Sequence, residues 1–211
     1  MPAKAPNNNR PKAINWLFIL SALIFPLAVL AQDETVKMPD EVKRFVEKDR
    51  IPIALETGDL NADGRKDYIL VISDVVRDDA PYEEGAGERS VLILVREANG
   101  SLTTAGRNDL VAMCKNCGGA FGDPFAGVAI RGTRFTVSNY GGSNSRWAYD
   151  YTFNYSRRDK TWQLVRVEET NFHALDPKRT EKRHAYTPPK DFGLITFADF
   201  DPDTFRGKGK K

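Results

Sequence analysis

The chain has 211 residues with 31 Lys and Arg against 29 Asp and Glu, a formal net charge of +2, and only two cysteines and two histidines. Three of the basic residues, Lys4, Arg10 and Lys12, lie within residues 1–31 and no acid does, so the remainder carries 28 basic and 29 acidic residues, a net −1. No basic stripe survives apart from the C-terminal segment from Arg206 to Lys211, which argues against a nucleic-acid partner.

Residues 1–31 read as a secretory signal peptide: a basic start, an apolar run from Trp16 to Leu30, and a small-residue boundary ending at Ala31. That run is broken by Pro26 and falls short of the roughly 20 residues a spanning helix needs, so no stable membrane anchor is expected after cleavage. The expected location is the periplasm or the medium. Residues 32–205 suit a single mainly β domain, and residues 206–211 a disordered basic tail.

The segment from Pro39 to Arg50 is expected to be a short amphipathic helix. Pro39 stands in its first turn, Asp40 and Glu41 face the positive end of the dipole, and Val42, Phe45 and Val46 follow i, i+3, i+4 spacing. From there on, short apolar or alternating runs separated by Gly, Asn and Asp predict strands at residues 51–55, 68–72, 91–95, 125–130, 135–139, 148–155 and 162–167. Antiparallel sheets in a sandwich-like or barrel-like arrangement, with one short N-terminal helix and little other helical content, follow from that pattern.

Between the first two predicted strands, residues 58–72 place side-chain oxygens at Asp59, Asn61, Asp63 and Asp67, positions 1, 3, 5 and 9 of a tight loop. Calcium takes six to eight oxygens at about 2.3–2.6 Å, and alternate residues of a curled loop point inward to supply them. Gly64 at position 6 permits the reversal, and the carbonyl of Arg65 at position 7 adds a ligand. Position 12 is Leu70, inside an apolar run, where an EF-hand requires a bidentate glutamate.

The stretch resembles the calcium loops of the FG-GAP and VCBS-type repeats of integrin-like β-propellers, in which such a loop runs straight into a strand. The resemblance implies Asp59, Asn61, Asp63 and Asp67 as side-chain ligands and Arg65 as a backbone ligand. Only one good copy is present, so a propeller ring is not expected. The run from Asp199 to Asp203 echoes the first three positions but contains Pro202 and lacks both the glycine and the ninth acid. Three carboxylates and one amide imply an affinity of about 10⁻⁴–10⁻³ M, suited to structural stabilisation outside the cell.

Residues 74–89 carry six carboxylates without periodicity and read as an exposed, solvated loop. Cys114 and Cys117, the only cysteines of an exported chain, are expected to form a disulfide that shapes a loop. The glycine-rich stretch after them cannot begin a helix promptly, which argues against a redox motif. Two hairpins stand out: one turns at Arg131 and Gly132, the other at Ser156 to Lys160. In the second, Tyr149, Tyr151, Phe153 and Tyr155 form a row on one side that reads as core, and the partner strand is expected to alternate Trp162, Leu164 and Arg166 against Gln163, Val165 and Val167. Residues 170–190 are polar, contain three prolines and both histidines, and read as a long connection with at most a short helix.

Residues 139–147 place Tyr140, Arg146 and Trp147 around a flexible polar loop, with Phe121 and Phe125 available to flank it. Tyr, Trp and Arg are the residue types most enriched at binding hot spots, although Tyr140 and Trp147 at strand ends also suit a core role. No Gly-x-Ser-x-Gly elbow occurs, and no pair among the acids is singled out for glycosidase work. The expectation is a calcium-stabilised binding protein whose partner is a protein or glycan of the cell envelope. A periplasmic enzyme inhibitor or immunity-type protein, and an envelope glycan or peptide hydrolase, are the alternatives.

Overall fold

The computed structural model describes residues 36–76, 83 and 86–206, so the expected signal segment, much of the acidic loop and residues 207–211 of the expected tail lie outside the described residues. Two antiparallel sheets make up the domain. The first is the meander β1 (Arg50–Gly58), β2 (Asp67–Asp74), β3 (Arg89–Arg96) and β4 (Leu102–Asn108). The second is the meander β5 (Phe125–Arg131), β6 (Arg134–Gly142), β7 (Ser145–Ser156), β8 (Thr161–His173) and β9 (Lys182–Tyr186).

The main core draws on both sheets. Ile69, Val71, Val91 and Ile93 of the first join Phe135, Val137, Tyr149, Tyr151, Phe153, Trp162 and Leu164 of the second. A separate cluster unites Tyr68, Leu70, Ile72, Leu92 and Leu94 with Val42 and the half-buried Phe45 and Val46. Successive side chains of a strand point to opposite faces, so β2 and β3 feed two cores at once. Their uninterrupted apolar runs, without alternation, reflect burial on both faces.

The N-terminal helix is shorter than its periodicity suggests: α1 covers only Asp40–Lys43. Arg50 pairs with Asp74 as the first residue of β1, and Asp49 adopts a φ of 65° to bring the chain there. Tight i to i+3 hydrogen bonds, from Phe45 N–H to the Val42 carbonyl and from Val46 N–H to that of Lys43, continue past the helix. They keep the apolar stripe against its cluster.

The aromatic row of β7 faces the core as expected. Its partner row on β8 changes phase because a bulge skips Val165: Phe153 pairs with Leu164, and Thr152 with Arg166. Arg166 is thereby exposed while Val167 and Glu169 take the inward positions. Residues 170–190 differ from the expected connection. β8 runs on to His173, α2 occupies Pro177–Thr180, and β9 pairs with β8 from Val167–Tyr186 to Asn171–Lys182. Strand β4 lies outside the strands that the sequence predicts; its alternation is weak because Thr103, Thr104 and Ala105 are exposed.

Phe197, Phe200 and Phe205 close the core from the C-terminal segment, with Phe197 edge-on to Phe135 and Phe153 at centroid distances of 5.3 and 5.1 Å. Buried Asn108 holds them there: its amide nitrogen donates to the carbonyls of Phe197 and Phe200 at 2.7 and 2.8 Å, and its oxygen accepts the N–H groups of Leu110 and Val111. All four hydrogen bonds open to an asparagine side chain are made.

Candidate functional site

Residues 59–67 form a loop curled on its own carboxylates. Asp59 accepts the backbone N–H groups of Asp63 and Gly64 at 3.0 and 2.9 Å, which draws position 1 toward positions 5 and 6. Ala62 at φ 59° and Gly64 at φ 82° supply the left-handed turns, and glycine occupies the second without the usual steric cost. Asn61 donates to Asp63 at 2.8 Å, and the Arg65 guanidinium reaches the same oxygen of Asp63 at 2.6 Å. The Arg65 Nε donates to the carbonyl of Arg96.

Asp67, at the mouth of β2, is 0 % exposed. Its two oxygens accept the N–H groups of Leu60 and Arg96, both at 2.9 Å. Burial, which disfavours the charged form, holds its carboxyl above the usual range against the pull of those two bonds, and the charges of Asp63 and Asp59 push the same way.

Asp59, Asn61, Asp63 and Asp67 are thus brought around one small loop, and as oxygen donors they suit a hard divalent cation. Asp59 and Asp67 each have a hydrogen bond on both oxygens and retain further lone pairs, since an ionised carboxylate has about four acceptor positions. As they stand, the acids do not converge: no group of three or more His, Cys, Asp or Glu side chains able to hold a metal occurs among the described residues. Asp63 leans toward Arg65, and Asp67 toward the backbone of the first sheet. Asp201, from the C-terminal echo, accepts the N–H of Asp203 and begins the 3₁₀ turn at Pro202–Thr204.

A second constellation lies at the far end of β6 and β7. Tyr140 and Arg146 stand on the outer face of the second sheet, opposite in direction to inward Val137 and Tyr149. Trp147 points the other way: it packs against the main core with its ring 5.7 Å from that of Tyr149. A Cβ on Gly141 would lie 2.5 Å from the Trp147 ring, so glycine there makes room for the indole. The residues Tyr140, Arg146 and Trp147 therefore do not share one surface.

Phe121 and Phe172 join Tyr140 and Arg146 instead. The Phe121 ring, 48 % exposed, meets Tyr140 edge-on at 4.8 Å, and the Arg146 guanidinium carbon lies 4.3 Å from the Phe121 centroid. Phe172 stacks beyond Tyr140 at 6.4 Å. The polar composition of residues 170–173 predicts loop and gives no sign of Phe172; their pairing with β7, Arg146 opposite Phe172, is what brings the ring there.

The loop carrying Phe121 is held at several points. Cys114 and Cys117 form a disulfide with Cα atoms 5.2 Å apart. Arg89, 3 % exposed, donates to the Met113 carbonyl on one side of that disulfide and grips Asp123 through two nitrogens, at 2.8 and 2.5 Å, on the other. Tyr140 N–H donates to the Pro124 carbonyl and Gly142 N–H to that of Gly118, fastening the loop along β6.

With this geometry on hand, comparison with known proteins supplies no relative: no family model, curated protein or solved structure matches the chain.

Proposed function

We propose that the protein is an exported, calcium-stabilised binding domain that engages a protein or glycan of the cell envelope through the face formed by Phe121, Tyr140 and Arg146. The observation that carries this reading is the seat of Arg146. Its guanidinium rests on a half-exposed phenylalanine, and its Nη1 is buried with no hydrogen-bond partner. A buried donor left unmade costs about 1–3 kcal/mol, and a shift of the Arg146 side chain toward a partner's carboxylate or carbonyl would recover it. The disulfide, the Arg89 grip and the backbone bonds along β6 order this surface before binding, which reduces the entropy a partner must overcome.

Calcium belongs to the same proposal as a brace. Asp59, Asn61, Asp63, Asp67 and the Arg65 carbonyl are the groups that would hold it, and the ion would neutralise three carboxylates that repel one another. The loop is remote in sequence from the binding face, so calcium acts on stability.

The purified protein, used as bait in envelope extracts, tests the binding face. One stoichiometric partner is expected, lost with Arg146→Ala or Phe121→Ala and retained with Arg158→Ala, an exposed arginine in the β7–β8 turn. Equal capture by the Arg146 and Phe121 variants would remove the face from the proposal.

A further inference from the structure

The turn between β5 and β6 carries a second feature of chemical interest. Arg131 and Arg134 are register partners across that turn, so two guanidinium-bearing residues stand directly opposite each other, both exposed. Like charges at opposed positions of an antiparallel pair destabilise it. Neither arginine has an ion-pair partner among the described residues. Both line a cavity of about 480 Å³ whose other walls are Ala129, Gly132 and the threonines Thr133, Thr136 and Thr152, with no carboxylate among them.

Register explains why these residues share a surface. Ala129 lies opposite Thr136, Thr136 opposite Thr152, and Arg134 opposite Asn154, all on the outer face of the second sheet. The Thr136 and Thr152 hydroxyls bond each other at 2.9 Å, and Thr133 donates to Asn154. The nearest acids on this face are already engaged: Asp150 by Ser138, Glu168 by Arg166, and Asp159 of the β7–β8 turn by Arg158 and Gln163. Arg131 and Arg134 are the only charged residues among those that line the cavity.

We infer that the Arg131 and Arg134 cavity is a binding site for a phosphate monoester carried on a sugar-sized molecule. Two guanidiniums match the charge of a phosphate dianion, and their planar forks of N–H donors suit its oxygens. The cavity volume falls within the range of about 300–1,000 Å³ typical of small-molecule sites. The threonine hydroxyls, able to donate and accept, face the rest of the ligand and suit sugar hydroxyls. Bound phosphate turns the repulsion between the two arginines into attraction, which accounts for their placement opposite each other. This site is independent of the calcium loop and of the Phe121 face.

Titrations of the purified protein with glucose 6-phosphate, inorganic phosphate, glucuronate and glucose at fixed ionic strength test the assignment, read by calorimetry and by the amide resonances of Gly132 and Thr133. Glucose 6-phosphate is expected to bind tightest, inorganic phosphate more weakly, and glucose not at all. Arg134→Gln should weaken glucose 6-phosphate binding at least ~10-fold, and the Arg131→Gln, Arg134→Gln double variant should abolish it. The unliganded double variant should melt no lower than wild type, because the like-charge pair is gone. Unchanged affinity in the variants, equal binding of glucuronate and glucose 6-phosphate, or a marked drop in melting temperature of the unliganded double variant would each overturn the inference.

Discussion

The buried carboxylate of Asp67 accepts the backbone N–H of Arg96 at 2.9 Å, and so joins the start of β2 to the end of β3. Its other oxygen holds the N–H of Leu60, whose carbonyl in turn accepts the indole N–H of Trp162 from the second sheet at 3.2 Å. The Arg96 side chain extends the junction to Glu41 of α1 and to the Gly100 carbonyl in the β3–β4 turn. The loop from Asp59 to Asp67 is therefore a joint between sheets as well as a set of oxygen donors.

Asp67→Asn tests that joint without calcium. An amide accepts through one atom only, so one of the two backbone N–H groups loses its partner, a cost of about 1–3 kcal/mol by urea unfolding in chelator. Because the folded carboxyl lies above its ordinary value of 3.8, its contribution is fully present below that value and is lost as pH rises through the raised one. The advantage of wild type over Asp67→Asn is accordingly larger at pH 4 than at pH 7. A constant difference would mean that burial does not govern this group.

Calcium should reverse the trend. Melting in millimolar calcium is expected several degrees above melting in chelator for wild type, with no such rise in Asp63→Ala, and the gain should fade toward pH 4 as the ligands protonate. A wild-type melting temperature indifferent to calcium contradicts the brace.

The opposite orientations of Tyr140 and Trp147 separate in stability. Trp147→Ala removes a side chain packed on the core and should cost about 3 kcal/mol, whereas Tyr140→Ala on the outer face should cost under about 1 kcal/mol. Equal losses by chemical denaturation would place both rings in the same environment.

Asn108→Ala strips four hydrogen bonds from the seat of the C-terminal phenylalanines, leaving buried N–H and carbonyl groups unmade. A loss of at least about 3 kcal/mol is expected, with earlier hydrogen exchange at Leu110 and Val111 than at core β2 amides. Protection unchanged at Leu110 and Val111 would show that another group carries them.

Asp159 closes the β7–β8 turn. The Arg158 guanidinium, then Ser156 and Gln163, hydrogen-bond its carboxylate and hold its pKa down to about 2. Its contribution to the turn is present above the ordinary value and lost as pH falls through the folded one. Carbon-detected NMR titration should find the midpoint near 2 in wild type and closer to the ordinary value in Arg158→Ala; a normal wild-type midpoint would mean that the turn is not held this way.

The β class, seven of the nine strands, the disulfide partners and the inward aromatic row of β7 were legible in the chain because each rests on local information: alternation, turn residues, cysteine count. The loop at Asp59 to Asp67 was legible as a constellation of donors for the same reason. What only the tertiary structure decided depends on pairing between distant segments. The bulge at Val165 sets which β8 residues face inward. The demands of the β1 edge shorten α1. The pairing of β8 with β7 lifts Phe172 beside Tyr140, and the backs of two strands turn Arg131 and Arg134 toward one cavity. Side-chain direction in a sheet has a period of two, so a single bulge or turn residue reassigns a whole row, and no local stretch of sequence records which row will meet which.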